Sequence, residues 1–129
     1  MKVVVGITGA SGTVYALSLI KCLEARNCEI HGVLSDAGES VLRHECAMER
    51  SDVSNFVIWH DSDDLFSSIA SGSFKYDAMV ILPCSMNTLA EIAYGLSSNL
   101  LTRAASVCLK EKRKLIIVPR EMPLSIIHL

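Results

Sequence analysis

The stretch "VVVGITGASGTVYA" (residues 3–16) decides the fold. Val3, Val4, Val5 and Ile7 make an apolar run that enters a strand, Gly9 and Gly12 punctuate a turn, and Leu17, Ile20 and Leu23 then recur at helical spacing over residues 14–26. The reading is strand, loop, helix. The same order returns at "VILPCSMNTLA" (residues 80–90), where an apolar run meets Ser85, Asn87 and Thr88 and a helix begins.

Working outward, "EIHGVLS" (residues 29–35) reads as a second strand, and residues 39–49 as a helix with Val41, Leu42 and Cys46 on one face. Residues 51–60 read as a minor strand or an extended crossing segment. In "SDDLFSSIASGSF" (residues 62–74), Ser62 or Asp63 before Leu65 and Ile69 is a capping pattern that predicts a short helix ending near Gly72. "AMVILPC" (78–84) and "KLIIVPR" (114–120) are unbroken apolar runs of the kind found in parallel strands covered on both faces, with helical segments at 87–94 and 100–112 between them. Alternating strands and helices predict an α/β doubly wound parallel sheet, helices on both faces. Ligands of such sheets bind beyond the carboxyl ends of the strands, here residues 8–12, 35–36, 84–88 and 120–121.

A length of 129 residues suits one domain, 1–129, and 50% hydrophobic, 20% charged and 5% aromatic residues suit a compact core rich in aliphatic side chains. Twelve Lys and Arg against 14 Asp and Glu leave no basic stripe for nucleic acid. No run approaches the roughly 20 apolar residues of a membrane span, and the first apolar run meets glycine too soon for a signal sequence. The expectation is a cytoplasmic protein with neither a membrane nor a nucleic-acid partner. Five cysteines (Cys22, Cys28, Cys46, Cys84, Cys108) without CxxC spacing signal neither disulfides nor zinc, and read as reduced, mostly buried thiols. His31, His44, His60 and His128 are scattered without metal-ligand spacing, so no metal is expected.

Gly6, Gly9 and Gly12 form G-x-x-G-x-x-G, one residue wider than the dinucleotide fingerprint. Such a turn is either a tight structural corner or a cradle for a phosphate or flavin, with Ser11 adding a hydroxyl at a helix N-terminus. A nicotinamide reading with Asp36 as ribose acceptor stays open, though the wider glycine spacing argues against it. Capping explains one of the three small polar residues in the second turn, not all three. Arg103 and Lys110, seven residues apart, share a helix face opposite Leu101, Ala105 and Cys108, and either hold an anion or form a solvated basic face. Glu121, after Arg120, is either a cleft acid or base or an exposed terminal charge.

Together "GITGASGTVYA", "LSDAGESVLRHE", "IASGSF", "VILPCSMNTLAEIAYG" and "LLTRAASVCLKEKRKLIIVPREMPLSIIHL" resemble the UbiX-type flavin prenyltransferases, a family that includes proteins first labelled aromatic acid decarboxylases. The resemblance covers essentially the whole sequence, with the motifs in family order. It implies a flavodoxin-like Rossmann fold, a homo-oligomer of trimers building a dodecamer, and FMN bound at subunit boundaries. It implies transfer of a dimethylallyl group from dimethylallyl phosphate to reduced FMN, at flavin N5 and C6, without a metal. The prenylated FMN would serve a UbiD-type decarboxylase.

By motif, Gly9, Ala10, Ser11, Ser35, Ser85, Met86, Asn87, Thr88 and Arg120 would contact FMN, Arg103 and Lys110 the substrate phosphate, and Ser11, Glu45 and Glu121 would carry the proton chemistry. Breaking an allylic C–O bond leaves a stabilised cation and a departing anion, so fixed cations and a nearby proton donor suit the step. The family pattern runs on past "PLSIIHL" with a late Tyr and a late Lys or Arg, so residues 1–129 are expected to lack the C-terminal part of the family pattern. Ser106, where the family usually has Asp, and Thr13 are minor departures. The alternatives are an FMN-binding protein without transferase activity, and a related flavoprotein decarboxylase of cysteine-type substrates, to which His44 points.

Overall fold

The computed structural model describes residues 1–121 and 125–126; His128 lies outside them. The order is β1 (Lys2–Ile7), α1 (Thr13–Ala25), β2 (Glu29–Leu34), α2 (Asp36–Cys46), α3 (Arg50–Val53), β3 (Val57–His60), β4 (Ala78–Cys84), α4 (Met86–Tyr94), α5 (Leu100–Lys110) and β5 (Lys114–Pro119). All neighbouring strands pair in parallel, in the order β3-β2-β1-β4-β5. Setting aside the short edge strand β3, the remaining strands run in the flavodoxin order, and the direction of winding switches between β1 and β4.

The alternation of side chains along each strand feeds two cores. Val3, Val5 and Ile7 pack with Ile30 and Leu34 under Ala16 and Ile20 of α1 and Leu42 of α2. Val4, Val33, Met79 and Ile81 pack under Ile92 of α4 and Leu101, Ala104, Ala105 and Cys108 of α5. The result is the three-layer, doubly wound α/β fold that strand–helix alternation predicts. The apolar stripe of α5 is wider than the spacing alone implies, because Leu100, Thr102 and Val107 are buried as well. Asn99 and Thr102 cap this helix reciprocally, Thr102 N–H donating to Asn99 Oδ1 at 2.9 Å.

Three expectations change. Residues 62–74 form turns around one short 3₁₀ segment, Ser68–Ala70, and not an α-helix. Here side chains compete with the helical backbone: Asp64 Oδ1 accepts the Phe66 N–H at 3.1 Å, and the Ser71 hydroxyl accepts that of Ser73 at 3.2 Å. β5 is an edge strand covered on one face only among the described residues; Leu115 and Ile117 pack on the core while Ile116 and Val118 remain 43% and 39% exposed. Of the five cysteines, all free, only Cys84 and Cys108 are buried, and Cys22 is exposed.

Two of the four scattered histidines, His31 and His60, also meet. His31 Nε2 bonds Glu29 Oε2 at 2.7 Å, His31 Nδ1 bonds His60 Nε2 at 2.9 Å, and His60 Nδ1 bonds the Ser67 hydroxyl. One proton per ring satisfies the whole series when Ser67 donates to His60, His60 to His31 and His31 to Glu29. This network ties β2 and β3 to the 61–74 segment from beneath, with Phe74 edge-on to His31 at 5.0 Å.

Candidate functional site

β1 and β4 lie side by side with Gly6 opposite Ile81, so the turns that follow them open at the same edge of the sheet. The first turn is tight, Ala10 N–H bonding Thr8 O at 3.0 Å. Gly12 takes the left-handed backbone (φ 107°) that starts α1, and no side chain caps this helix. Gly9 is required for a different reason. A Cβ there would collide with Ala37 in the first turn of α2, so its bareness admits the neighbouring helix.

In the second turn Ser85 is the N-cap of α4, its Oγ accepting the Thr88 N–H at 3.2 Å and donating to Thr88 Oγ1 at 3.0 Å. Ser35 caps α2 in the same way through Gly38 N–H at 2.9 Å. Beyond β5, Arg120 N–H bonds Cys84 O at 3.0 Å, which carries residues 120–121 alongside the second turn.

These elements enclose a recess of about 350 Å³ lined by Gly9, Ala10, Ser11, Val41, Glu45, Ser85, Met86, Arg120 and Glu121. Val41 was not a candidate from sequence; it stands one helical turn before Glu45, and that i,i+4 relation is the signal that could have found it. Arg120 Nη1 lies 3.2 Å from Glu121 Oε1, with both side chains nearly half exposed, so the pair is weak and both groups stay available. Among the candidates, Ser35 is buried as the N-cap of α2, Thr88 is buried in the first turn of α4 where its N–H meets the Ser85 cap, and Asn87 is exposed outside the recess.

Arg103 and Lys110 stand elsewhere. With Ala70, Ser71, Gly72, Ser106, Val107 and Glu111 they line a second recess, of about 330 Å³, which shares no residue with the first. Neither cation has a carboxylate partner among the described residues. His44, though next to Glu45, is exposed and does not line the first recess. Asp36 accepts the Ser62 hydroxyl at 2.9 Å and borders an acidic hollow with Arg50 and Asp61, away from the first recess.

Chemically, the first recess offers the Ser11 hydroxyl, two residues ahead of the uncapped N-terminus of α1, and a guanidinium for an anionic ligand, with two carboxylates able to move protons. The second offers two cations that form no ion pair among the described residues, with the Glu111 carboxylate in the same lining.

The Flavoprotein family profile matches residues 1–126. The flavin prenyltransferase UbiX of Methanocaldococcus jannaschii is 45% identical over all of this chain, which spans 70% of that protein. A dodecameric FMN-dependent UbiX-like decarboxylase from Escherichia coli O157:H7 superposes with a TM-score of 0.92 at 45% identity, over 99% of this chain and 71% of its own. AnUbiX (PadA1), solved in complex with FMN and dimethylallyl pyrophosphate, superposes with a TM-score of 0.90 at 38% identity, over 98% of this chain and 68% of its own.

Proposed function

The chain belongs to the flavoprotein family, among its UbiX-type flavin prenyltransferases, and on that premise we propose that the recess at the β1/β4 switch point is its flavin site. The protein is a flavin prenyltransferase that uses FMN. Bound in reduced form, FMN supplies the electron-rich ring that takes the dimethylallyl group.

The residues present fit that cofactor. The free N-terminus of α1 suits its phosphate, and Ser11, Ser85, Met86 and Arg120 flank the space left for its ring. Ser35 acts through the helix it caps, Thr88 through its bonds to the Ser85 cap, and Gly9, Ala10 and Asn87 through their place on the two turns. Glu121 gives a proton to the departing phosphate, while Ser11 and Glu45 move protons at the ring.

The observation that carries this reading is the convergence of both polar turns, Arg120 and two carboxylates on one recess at the switch point. Arg103 and Lys110 hold the prenyl phosphate. Because their recess shares no residue with the flavin recess of the same protomer, they serve the site of an adjacent copy in a homo-oligomer, of trimers building a dodecamer. Val14 and Tyr15 on α1, Tyr94 at the end of α4 and Leu96 just beyond it, and Leu109 on α5 are large apolar side chains left exposed, which supports such packing. The product, prenylated FMN, passes to a UbiD-type decarboxylase. Five free thiols support a reducing, cytoplasmic setting. The decarboxylase reading loses support, since His44 stands outside the recess.

The test is inorganic phosphate released from dimethylallyl phosphate under anaerobic conditions. Release that requires reduced FMN supports the transferase. Retained FMN without release points to the flavin-binding alternative.

A further inference from the structure

We propose that Thr8 is a positioning residue of this site: its buried hydroxyl locks the two ligand turns to each other and so sets the width of the recess between them. The inference rests on reading that recess as the flavin site. Thr8 follows the last residue of β1, is 1% exposed and does not line the recess. Its Oγ1 donates to Pro83 O at 2.8 Å and accepts the Ser85 N–H at 2.8 Å, the first of these bonds spanning 75 residues of sequence.

The geometry explains why a hydroxyl is needed at this point. Pro83 has no N–H to offer β1, so the strand pairing that ends at Gly6 and Ile81 can continue only through Pro83 as an acceptor. Thr8 N–H reaches Pro83 O at 3.3 Å, a long bond, and the side chain doubles it at the shorter distance. The same oxygen then fixes Ser85, the residue whose Oγ caps α4 and whose neighbour Met86 lines the recess. A hydroxyl has one proton and free lone pairs, and this one, standing at the start of the first turn, spends its proton on Pro83 and a lone pair on Ser85, so that both bonds grip the second turn. Valine fills the same volume and can do neither.

The test compares Thr8→Val with Thr8→Ser in the purified protein, reading FMN affinity by quenching of flavin fluorescence, the visible circular dichroism of bound FMN, and the melting temperature without FMN. Removing the hydroxyl leaves the Ser85 N–H without its acceptor, so Thr8→Val is expected to weaken FMN binding about tenfold and to change the dichroism, while Thr8→Ser keeps both near wild type. Packing by the methyl group predicts the opposite order, with Thr8→Ser weak and Thr8→Val normal, and that result overturns the proposal. If Thr8→Val does not fold, weak FMN binding by a folded Thr8→Ser still overturns it. A lower melting temperature in Thr8→Val with unaltered affinity and dichroism reduces Thr8 to a stability residue and overturns it as well. A wild-type protein that takes up no FMN overturns the flavin reading itself, and Thr8's role with it.

Discussion

Replacing Gly9 with alanine separates two explanations of the first glycine turn. Gly9 is not among the described residues with a left-handed backbone, so alanine can adopt its conformation. In open space the exchange would stabilise the protein by ~0.4–1 kcal/mol, because it restricts the unfolded state. The space is not open. The new Cβ would meet the Cβ of Ala37 and lie 2.9 Å from the Ala37 carbonyl carbon, which is helix backbone and cannot rotate away. Overpacking costs ~1–3 kcal/mol, and against unyielding backbone the upper half of that range, ~2–3 kcal/mol, applies, which leaves a net destabilisation of roughly 1–2.6 kcal/mol and a melting temperature lowered by about 4–10 °C for a protein of this length.

The consequence reaches the site, because α2 carries Val41 and Glu45 of the recess wall. Pushing its first turn outward widens the recess and weakens FMN binding. Thermal unfolding without ligand is the deciding assay. Adding Ala37→Gly removes the colliding Cβ but not the carbonyl carbon, so the double variant is expected to recover part of the loss. If Gly9 serves only the approach of a ligand, Gly9→Ala melts at or above the wild-type temperature, and the packing argument fails.

Three other perturbations bear on the same account. Burial, and then His31, hold the His60 imidazole below its ordinary range, so below about pH 6.5 the unfolded state binds more protons than the native one and stability falls as pH drops through that value; urea midpoints between pH 7.5 and 5.5 should slope less in His60→Gln, and an unchanged slope would contradict the assignment. Arg103→Ala and Lys110→Met are expected to raise KM for dimethylallyl phosphate by an order of magnitude or more while leaving FMN affinity within about twofold; loss of FMN in both would place the cations at the flavin. Titration with a thiol reagent should modify exposed Cys22 first and Cys84 only on unfolding, because burial pushes the Cys84 thiol up to about 11; early loss of Cys84 would refute that burial.

Much of this was legible in the sequence where one residue pattern admits one outcome. The continuous apolar runs at 3–7 and 78–84 become central strands because both faces are covered, and of the three small polar residues of the second turn one, Ser85, is the N-cap where α4 begins, while the second helix starts at Asp36 and not near Glu39. Residues 62–74 misled because a capping pattern does not weigh the later Ser71, Gly72 and Ser73, whose local bonding outcompetes a helix. The purpose of Gly9 was not legible either. A glycine shows that something comes close, while only the fold shows that it is Ala37. Likewise, spacing put Arg103 and Lys110 on one face but could not show that this face opens onto a different recess from the flavin turns. Thr8 was hidden by its inward direction, since a threonine at a strand end reads as β-branched filler until its partners appear.

The most direct test of the central claim is the mass of the flavin released after the purified protein is incubated anaerobically with reduced FMN and dimethylallyl phosphate. A flavin heavier by one prenyl group is the expected product. Recovery of unmodified FMN alone, from a protein shown to be folded, oligomeric and loaded with flavin, would contradict the account.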